Sequence, residues 1–234
     1  MKEKMDIIAC CLKTELFRGF SADELQELLP TIQAGIRKYH KGEAFVRAGA
    51  PVTSVGLLFS GGMTTLKKDS SGNFNLIKYS SPGDLFFAYF SFQSSPVTVV
   101  STAESVVLSF PVYRIMSKNA SLTDNQSARL LGNILQLTSE ESLLYLQKVE
   151  TLSYRSVRNR ICNYLYQMSV KHSNQSFSVP FNREQMAQYL CVDRSVLSKE
   201  LGKMRKEGLI QFERNHFEIL NDLFSKFVFP LRKI

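Results

Sequence analysis

From about Gly35 to Val112 the chain is cut into short pieces by turn-forming residues, and this constrains the fold more than any other feature. The turn signals are Lys41-Gly42, Gly49-Ala50-Pro51, Ser60-Gly61-Gly62, Ser70-Ser71-Gly72-Asn73 and Ser81-Pro82-Gly83-Asp84. Between them lie runs rich in Val, Phe, Leu, Tyr and Thr, among them Ser54–Phe59, Met63–Lys67, Phe74–Tyr79, Val97–Thr102 and Ser105–Phe110. Strand-forming runs at a spacing of roughly ten residues predict an antiparallel sandwich or barrel. Glycine supplies the positive φ angles that such tight turns need.

The flanks have a helical texture. Leu12, Leu16 and Phe17 recur at helical spacing, and Ser21 followed by Glu24 is a capping-box pair ahead of Leu25, Leu28 and Leu29. After Pro111 a long stripe begins: Leu130, Leu131, Ile134, Leu135, Leu137, Leu143, Leu144, Leu146 and Val149. Leu130, Ile134 and Leu137 follow a 4-3 spacing, with Leu144 seven further on, and these four are the expected dimer-helix positions. A helix this long can lay its stripe on the sheet domain or pair it with a copy of itself. The expected class is α+β. The expected domains are a sheet domain with its leading helices over 1–117, a long helix over 118–151, and a separate helix-and-hairpin domain over 152–234.

Charge separates the last of these from the rest. The chain of 234 residues carries a net +8. Residues 1–150 hold 15 Lys+Arg and 14 Asp+Glu, and residues 151–234 hold 14 and 7, so +7 of the total sits in the last third. That asymmetry is expected of a nucleic-acid-binding domain joined to something nearly neutral. With 44 % apolar residues the chain has enough material for a core. No apolar run is long enough to predict a membrane span, and no signal peptide is read. Four cysteines without a CxxC pair give no disulfide framework, so the expected location is the cytoplasm.

The segment Phe181–Leu209, FNREQMAQYLCVDRSVLSKELGKMRKEGL, carries the function. Met186, Ala187 and Leu190 mark one short helix, Cys191-Val192 interrupts it, and Asp193 is placed to cap a second helix that Gly208 stops. Val196, Leu197, Leu201 and Met204 are the expected apolar side of the second helix. Arg194, Ser195, Ser198, Lys199 and Lys203 lie on its other sides. This pattern is a helix-turn-helix, whose second helix enters the major groove of DNA. Arg194 suits bidentate contact with guanine, Ser195 and Ser198 suit donor or acceptor roles, and Lys199 suits guanine or phosphate. Asn182 and Arg183, just ahead of the first helix, suit phosphate contacts. Leu209–Leu220 alternates about Arg214-Asn215, which predicts a hairpin wing with Arg214 on phosphate at its tip.

In this order of parts, and in the phrases LFRGFSADEL, YHKGEAF, SPGDLFFAYFSF and REQMAQYLCVDRSVLSKELGKMRKEGLI, the chain resembles the Crp/Fnr family of bacterial transcription regulators. The resemblance implies a homodimer through the long helix, a palindromic duplex operator, and RNA polymerase as a further partner. It also exposes a departure. Where cyclic-nucleotide binders of that family carry a Gly-Glu pair, this chain has Phe87-Ala88. Where they carry an arginine for the cyclic phosphate, it has Ser94-Ser95-Pro96-Val97-Thr98. A buried phosphate without a guanidinium loses its charge-assisted bonds, so the expected effector is not a cyclic nucleotide. The effector itself is unknown, and Phe86, Tyr89, Ser94 and Ser95 are the pocket candidates, with the aromatic run Phe86–Phe92 reading as either a pocket or a filled core.

No cofactor or metal is expected. Cys10 and Cys11 are adjacent, Cys162 and Cys191 lie in the C-terminal domain, and His40 is the one histidine of the sheet region, so neither an iron–sulfur cluster nor a haem has a ready ligand set. No nucleophile–base pair or phosphate loop predicts an enzyme. The alternative function is a regulatory subunit whose sheet domain binds a small molecule and controls a protein partner.

Overall fold

The computed structural model describes residues 6–86, 94–111, 113–116 and 124–220. The chain forms two compact units, Met1–Asn73 with Ile77–Leu143, and Phe74–Leu76 with Leu144–Ile234.

The first unit opens with α1 (Ile7–Cys11), a short 3-10 turn and α2 (Ala22–Thr31). The expected capping box is present. Ser21 N donates to Glu24 Oε2 at 2.8 Å and Glu24 N donates to Ser21 Oγ at 3.2 Å. Pro30 lies in the last turn of α2, beyond the point where it would interrupt the helix body.

Eight strands follow: β1 (Gly35–Tyr39), β2 (Ala44–Val46), β3 (Ser54–Ser60), β4 (Met63–Lys68), β5 (Phe74–Ser80), β6 (Leu85–Phe86), β7 (Thr98–Ser101) and β8 (Ser105–Pro111). They make two four-stranded sheets, ordered β1-β8-β3-β6 and β2-β7-β4-β5. The turn glycines do the expected work, most clearly at Ser60-Gly61-Gly62. Gly61 has φ +88°, and a Cβ there would stand 2.2 Å from Ser105 Oγ. Ser105 Oγ in turn accepts a hydrogen bond from Gly62 N at 3.1 Å.

Next come α3 (Tyr113–Met116) and the 30-residue α4 (Asp124–Ser153). Leu130 and Ile134 of α4 are 0 % and 1 % exposed, in one core with Leu16, Phe17, Leu25, Val55, Leu108 and Phe110, and Leu137 packs against it. Polar pegs fix the same face. Arg129 Nη1 donates to Gly19 O at 2.6 Å and pairs with Glu24 at 3.1 Å, and Asn133 Nδ2 donates to Leu16 O at 2.9 Å. The expected seam of Leu130, Ile134 and Leu137 is therefore corrected. These residues cover their own unit. Of the four, only Leu144 is open, at 50 % exposure. A different set of apolar side chains is presented to solvent: Leu135, Leu143, Leu146 and Val149 are 60–68 % exposed. The helix thus has two apolar stripes. The first part of the expected 118–151 linker is no free-standing rod, and the expected boundary at 117/118 lies outside the described residues.

The second unit contains α5 (Val157–His172), β9 (Ser176–Ser178), α6 (Arg183–Leu190), α7 (Arg194–Lys206), β10 (Ile210–Glu213) and β11 (His216–Ile219). Its sheet is ordered β10-β11-β9. Leu197, Leu201 and Met204 of α7 are each 0 % exposed, and Ile161, Leu165, Met186, Leu190 and Phe217 of the same unit are buried with them. No helix among the described residues is long and apolar enough to cross a membrane.

Candidate nucleic-acid interface

Helix α6 starts at a capping box. Asn182 Oδ1 accepts from Gln185 N at 2.9 Å and Asn182 N donates to Gln185 Oε1, also at 2.9 Å. It ends at Cys191, which adopts φ +52° and closes the helix by returning its N–H to the last turn. The last carbonyls are held from outside the motif. Arg160 Nη1 donates to Leu190 O and Cys191 O, each at 3.2 Å, while its Nε donates to Tyr154 O at 2.8 Å. Arg160 thus fixes the turn between the two helices. It lies thirty residues upstream of the turn, and no local signal in the sequence marks that role.

Asp193 stands at the N-cap of α7 in extended conformation, but its carboxylate accepts no cap hydrogen bond, contrary to expectation. Its main-chain carbonyl takes the first helical bond, from Leu197 N at 2.9 Å. Its charge still lies at the positive end of the helix. At the other end Gly208 has φ +71° and receives the chain in the left-handed region, as a helix stop requires.

The expected contact residues divide into two groups. Arg194, Ser195, Ser198, Lys199 and Lys203 are all exposed on α7. Arg194 meets only a loose partner, Glu184 at 3.8 Å, and Lys203 lies 3.7 Å from Glu200. Arg214 is exposed at the two-residue turn between β10 and β11, with φ +52°. A left-handed arginine costs about 1–2 kcal/mol relative to glycine, so the turn holds this side chain against its backbone preference. These six present donors and positive charge to solvent, as groove and phosphate contact requires.

Asn182 and Arg183 are different. The Asn182 side chain is engaged in its own cap. Arg183 is half-buried, its guanidinium over the rings of Phe212 at 5.1 Å and Phe217 at 5.5 Å, and its Nη2 donates to Arg214 O at 3.1 Å. Burial lowers its pKa from the ordinary arginine value. The structure places Arg183 as a tie between α6 and the hairpin and leaves less of it for DNA than expected.

Val196 is a second correction. Expected on the apolar side of α7, it is 43 % exposed. At 100° per residue it falls on the flank between Leu197's buried side and the polar face. An exposed valine on such a helix suits the methyl group of thymine.

Below α7 one cation ties the unit together. Arg158 Nε donates to Glu200 at 2.6 Å, and its two terminal nitrogens bond both Glu207 oxygens at 2.7 and 2.9 Å. The pairing raises the Arg158 pKa and lowers that of Glu207.

Among the described residues, the pocket candidates Phe86, Ser94 and Ser95 do not come together as a polar site. Phe86 is 1 % exposed, edge-to-face with Phe45 at 5.0 Å, and its ring lies so close to Gly56 that a Cβ there would stand 2.5 Å from it. It fills core. Ser95 is buried and bonds within its own turn, donating to Val97 O at 2.6 Å. Ser94 is exposed, in an isolated bridge with Pro51. Tyr89, with Phe87, Ala88, Phe90 and Phe92, lies outside the described residues. His40 is exposed, with Nδ1 3.0 Å from Glu104, and that carboxylate raises its pKa. Burial pushes the Cys11 thiol up to about 12, which disfavours the thiolate, the reactive form. Among the described residues no group of three His, Cys, Asp or Glu is placed to hold a metal ion.

Comparison with known proteins agrees with this geometry. Residues 159–222 match the model of the Crp-like helix-turn-helix domain, and residues 36–117 match that of the cyclic nucleotide-binding domain. The chain is 25 % identical over 223 residues to the anaerobic regulatory protein of Pasteurella multocida, covering 91 % of this chain and 78 % of that protein. It is 22 % identical over 211 residues to the transcriptional activator protein anr of Pseudomonas aeruginosa, covering 88 % and 84 %. Among solved structures, the c-di-GMP responsive global regulator CLP of Xanthomonas campestris superposes with a TM-score of 0.71 at 16 % identity, over 86 % of this chain and all of that one. FixK2 of Bradyrhizobium japonicum gives 0.68 at 17 %, over 84 % and 98 %. With a domain of each kind in the same order, and relatives that span both, the chain belongs to the Crp/Fnr family of transcription regulators.

Proposed function

We propose that the protein is a homodimeric, sequence-specific DNA-binding regulator of transcription that reads a palindromic duplex with α7 and grips phosphate with the hairpin. The observation that carries this reading is the exposed set Arg194, Ser195, Ser198 and Lys199 on the N-terminal half of a helix whose opposite side is buried. RNA polymerase is its further partner and the cytoplasm its place. We read it as a regulator without catalytic activity of its own, in keeping with its family.

The dimer rests on the second stripe of α4. Counting by heptads, Ala128, Leu135, Ser142 and Val149 fall in one row and Gly132, Ser139, Leu146 and Ser153 in the next, and all eight are exposed. Two such rows of apolar and small residues are the seam of a coiled coil, and the occupant that fits them is a second copy of α4. The effector is other than a cyclic nucleotide. No arginine lies in 94–102 to hold the phosphate, and Phe86 fills the core beside it.

Sedimentation of the full chain with Leu146→Asp and Val149→Asp tests the reading. The double variant should be a folded monomer that has lost tight duplex binding. A dimer that still binds would overturn the seam, and a wild-type chain whose duplex affinity does not fall with salt would favour the protein-partner alternative.

A further inference from the structure

Gly202 lies inside α7, between Leu201 and Lys203, and the protomer itself gives no reason for a glycine there. Among the described residues, a Cβ added at Gly202 meets no atom within 4 Å, and its φ is not left-handed. The contrast with Gly56, Gly61 and Gly62 is sharp, since at each of those a Cβ would strike a neighbour at 2.5 Å or less. Glycine is also one of the poorest residues for a helix interior, because it loses the most backbone freedom on folding. Any good helix former would fit this fold better.

The position explains what the fold does not. Leu197, Leu201 and Met204 define the buried side of α7. Ser195, Lys199, Gly202 and Lys206 stand on the opposite side at spacings of four, three and four, one continuous row. The two residues ahead of Gly202 in that row are exposed contact candidates, and three exposed lysines, Lys199, Lys203 and Lys206, surround it. Such a bare stretch of helix ringed by positive charge is complementary to a polyanion brought to close range.

We infer that Gly202 is a positioning residue for DNA: its missing side chain lets the sugar–phosphate backbone pass against the main chain of α7, and so sets how deeply Ser195 and Lys199 reach into the groove. This rests on the DNA-binding reading above and adds the approach distance to it. A side chain at 202 would hold the duplex off without disturbing the protomer.

Gly202→Ala and Gly202→Leu in the full chain test this, with thermal unfolding and duplex titration side by side. Both variants should unfold a few degrees higher than the wild type, since a helix glycine is relieved. Affinity for the preferred duplex should nevertheless fall by about tenfold or more for Leu, as expected of overpacking at an interface, and by less for Ala. Leu binding as tightly as wild type would overturn the inference, because DNA would then not come near this face. A lowered unfolding temperature would also overturn it, since the face would then be covered within the protomer. If the wild type binds no duplex, the DNA reading fails and the inference fails with it.

Discussion

Arg183 and Arg214, thirty-one residues apart, are joined by a 3.1 Å hydrogen bond from the Arg183 guanidinium to the Arg214 main-chain carbonyl. One arginine builds the hairpin turn that presents the other. Arg183→Ala should therefore lower thermal stability, through lost stacking on Phe212 and Phe217. Arg214→Ala should leave stability nearly unchanged, since alanine keeps the Cβ that makes the left-handed turn costly. It should weaken binding to all duplexes about equally and reduce the magnitude of the salt slope by about one. Unfolding and salt titrations of the two variants check this, and equal stability losses would contradict it.

Arg194 is 66 % exposed and only loosely paired, so it is free to leave Glu184 for a base. Arg194→Ala should cost about 1–3 kcal/mol of binding and relax base preference at one symmetric position of the operator. Val196→Ala should act differently. Its loss should equal that produced in the wild type by replacing a thymine with deoxyuridine, and the variant should no longer distinguish the two bases. Competition binding on substituted duplexes measures both effects.

The Arg158–Glu207 pair predicts an acid sensitivity. Arg158 holds the Glu207 carboxyl below the ordinary carboxylate range. The folded state thus binds fewer protons than the unfolded one there. The pair's contribution is full above the unfolded carboxylate pKa and is lost as pH falls through the folded one. Arg158→Leu should lower stability at pH 7 and flatten that acid limb. Denaturant unfolding from pH 7 down to pH 3 reads the difference.

Lys148 predicts the opposite limb. It is 7 % exposed, with Nζ 4.1 Å from the Tyr189 ring centre, and burial lowers its pKa to about 8. Between that value and the unfolded 10.5 the unfolded chain binds more protons than the folded one. The Lys148 contribution should therefore rise with pH across this window, against the fall contributed by the buried Cys11 and Cys162 thiols, so the wild type should gain in stability relative to Lys148→Met as pH rises. Unfolding at pH 7.5 and pH 10 in both proteins checks it.

The helix-turn-helix was legible because local chemistry encodes it. The Asn182–Gln185 box, the glycine stop at 208 and the alternation about Arg214 all act within a few residues. Much of the sheet domain was legible for the same reason, as at Ser60-Gly61-Gly62. What stayed hidden depends on neighbours distant in sequence. Periodicity showed that α4 is apolar, but Leu130 and Leu135 look alike until the leading helices cover one of them. Likewise Val196 and Leu197 are both apolar, and only the packing of α5 and the hairpin decides which is buried. Arg183 looks like a phosphate contact and Arg160 draws no reading at all, because their partners are main-chain carbonyls and rings that no local pattern reveals.

The most direct test of the central claim is selection from a random duplex pool with the purified wild-type chain at moderate salt. The account predicts enrichment of an inverted repeat whose half-sites lie about 34–36 Å apart, one helical turn, and loss of that enrichment with Leu146→Asp and Val149→Asp. Weak, salt-sensitive binding with no enriched sequence, equal in the wild type and in Arg194→Ala, would contradict it.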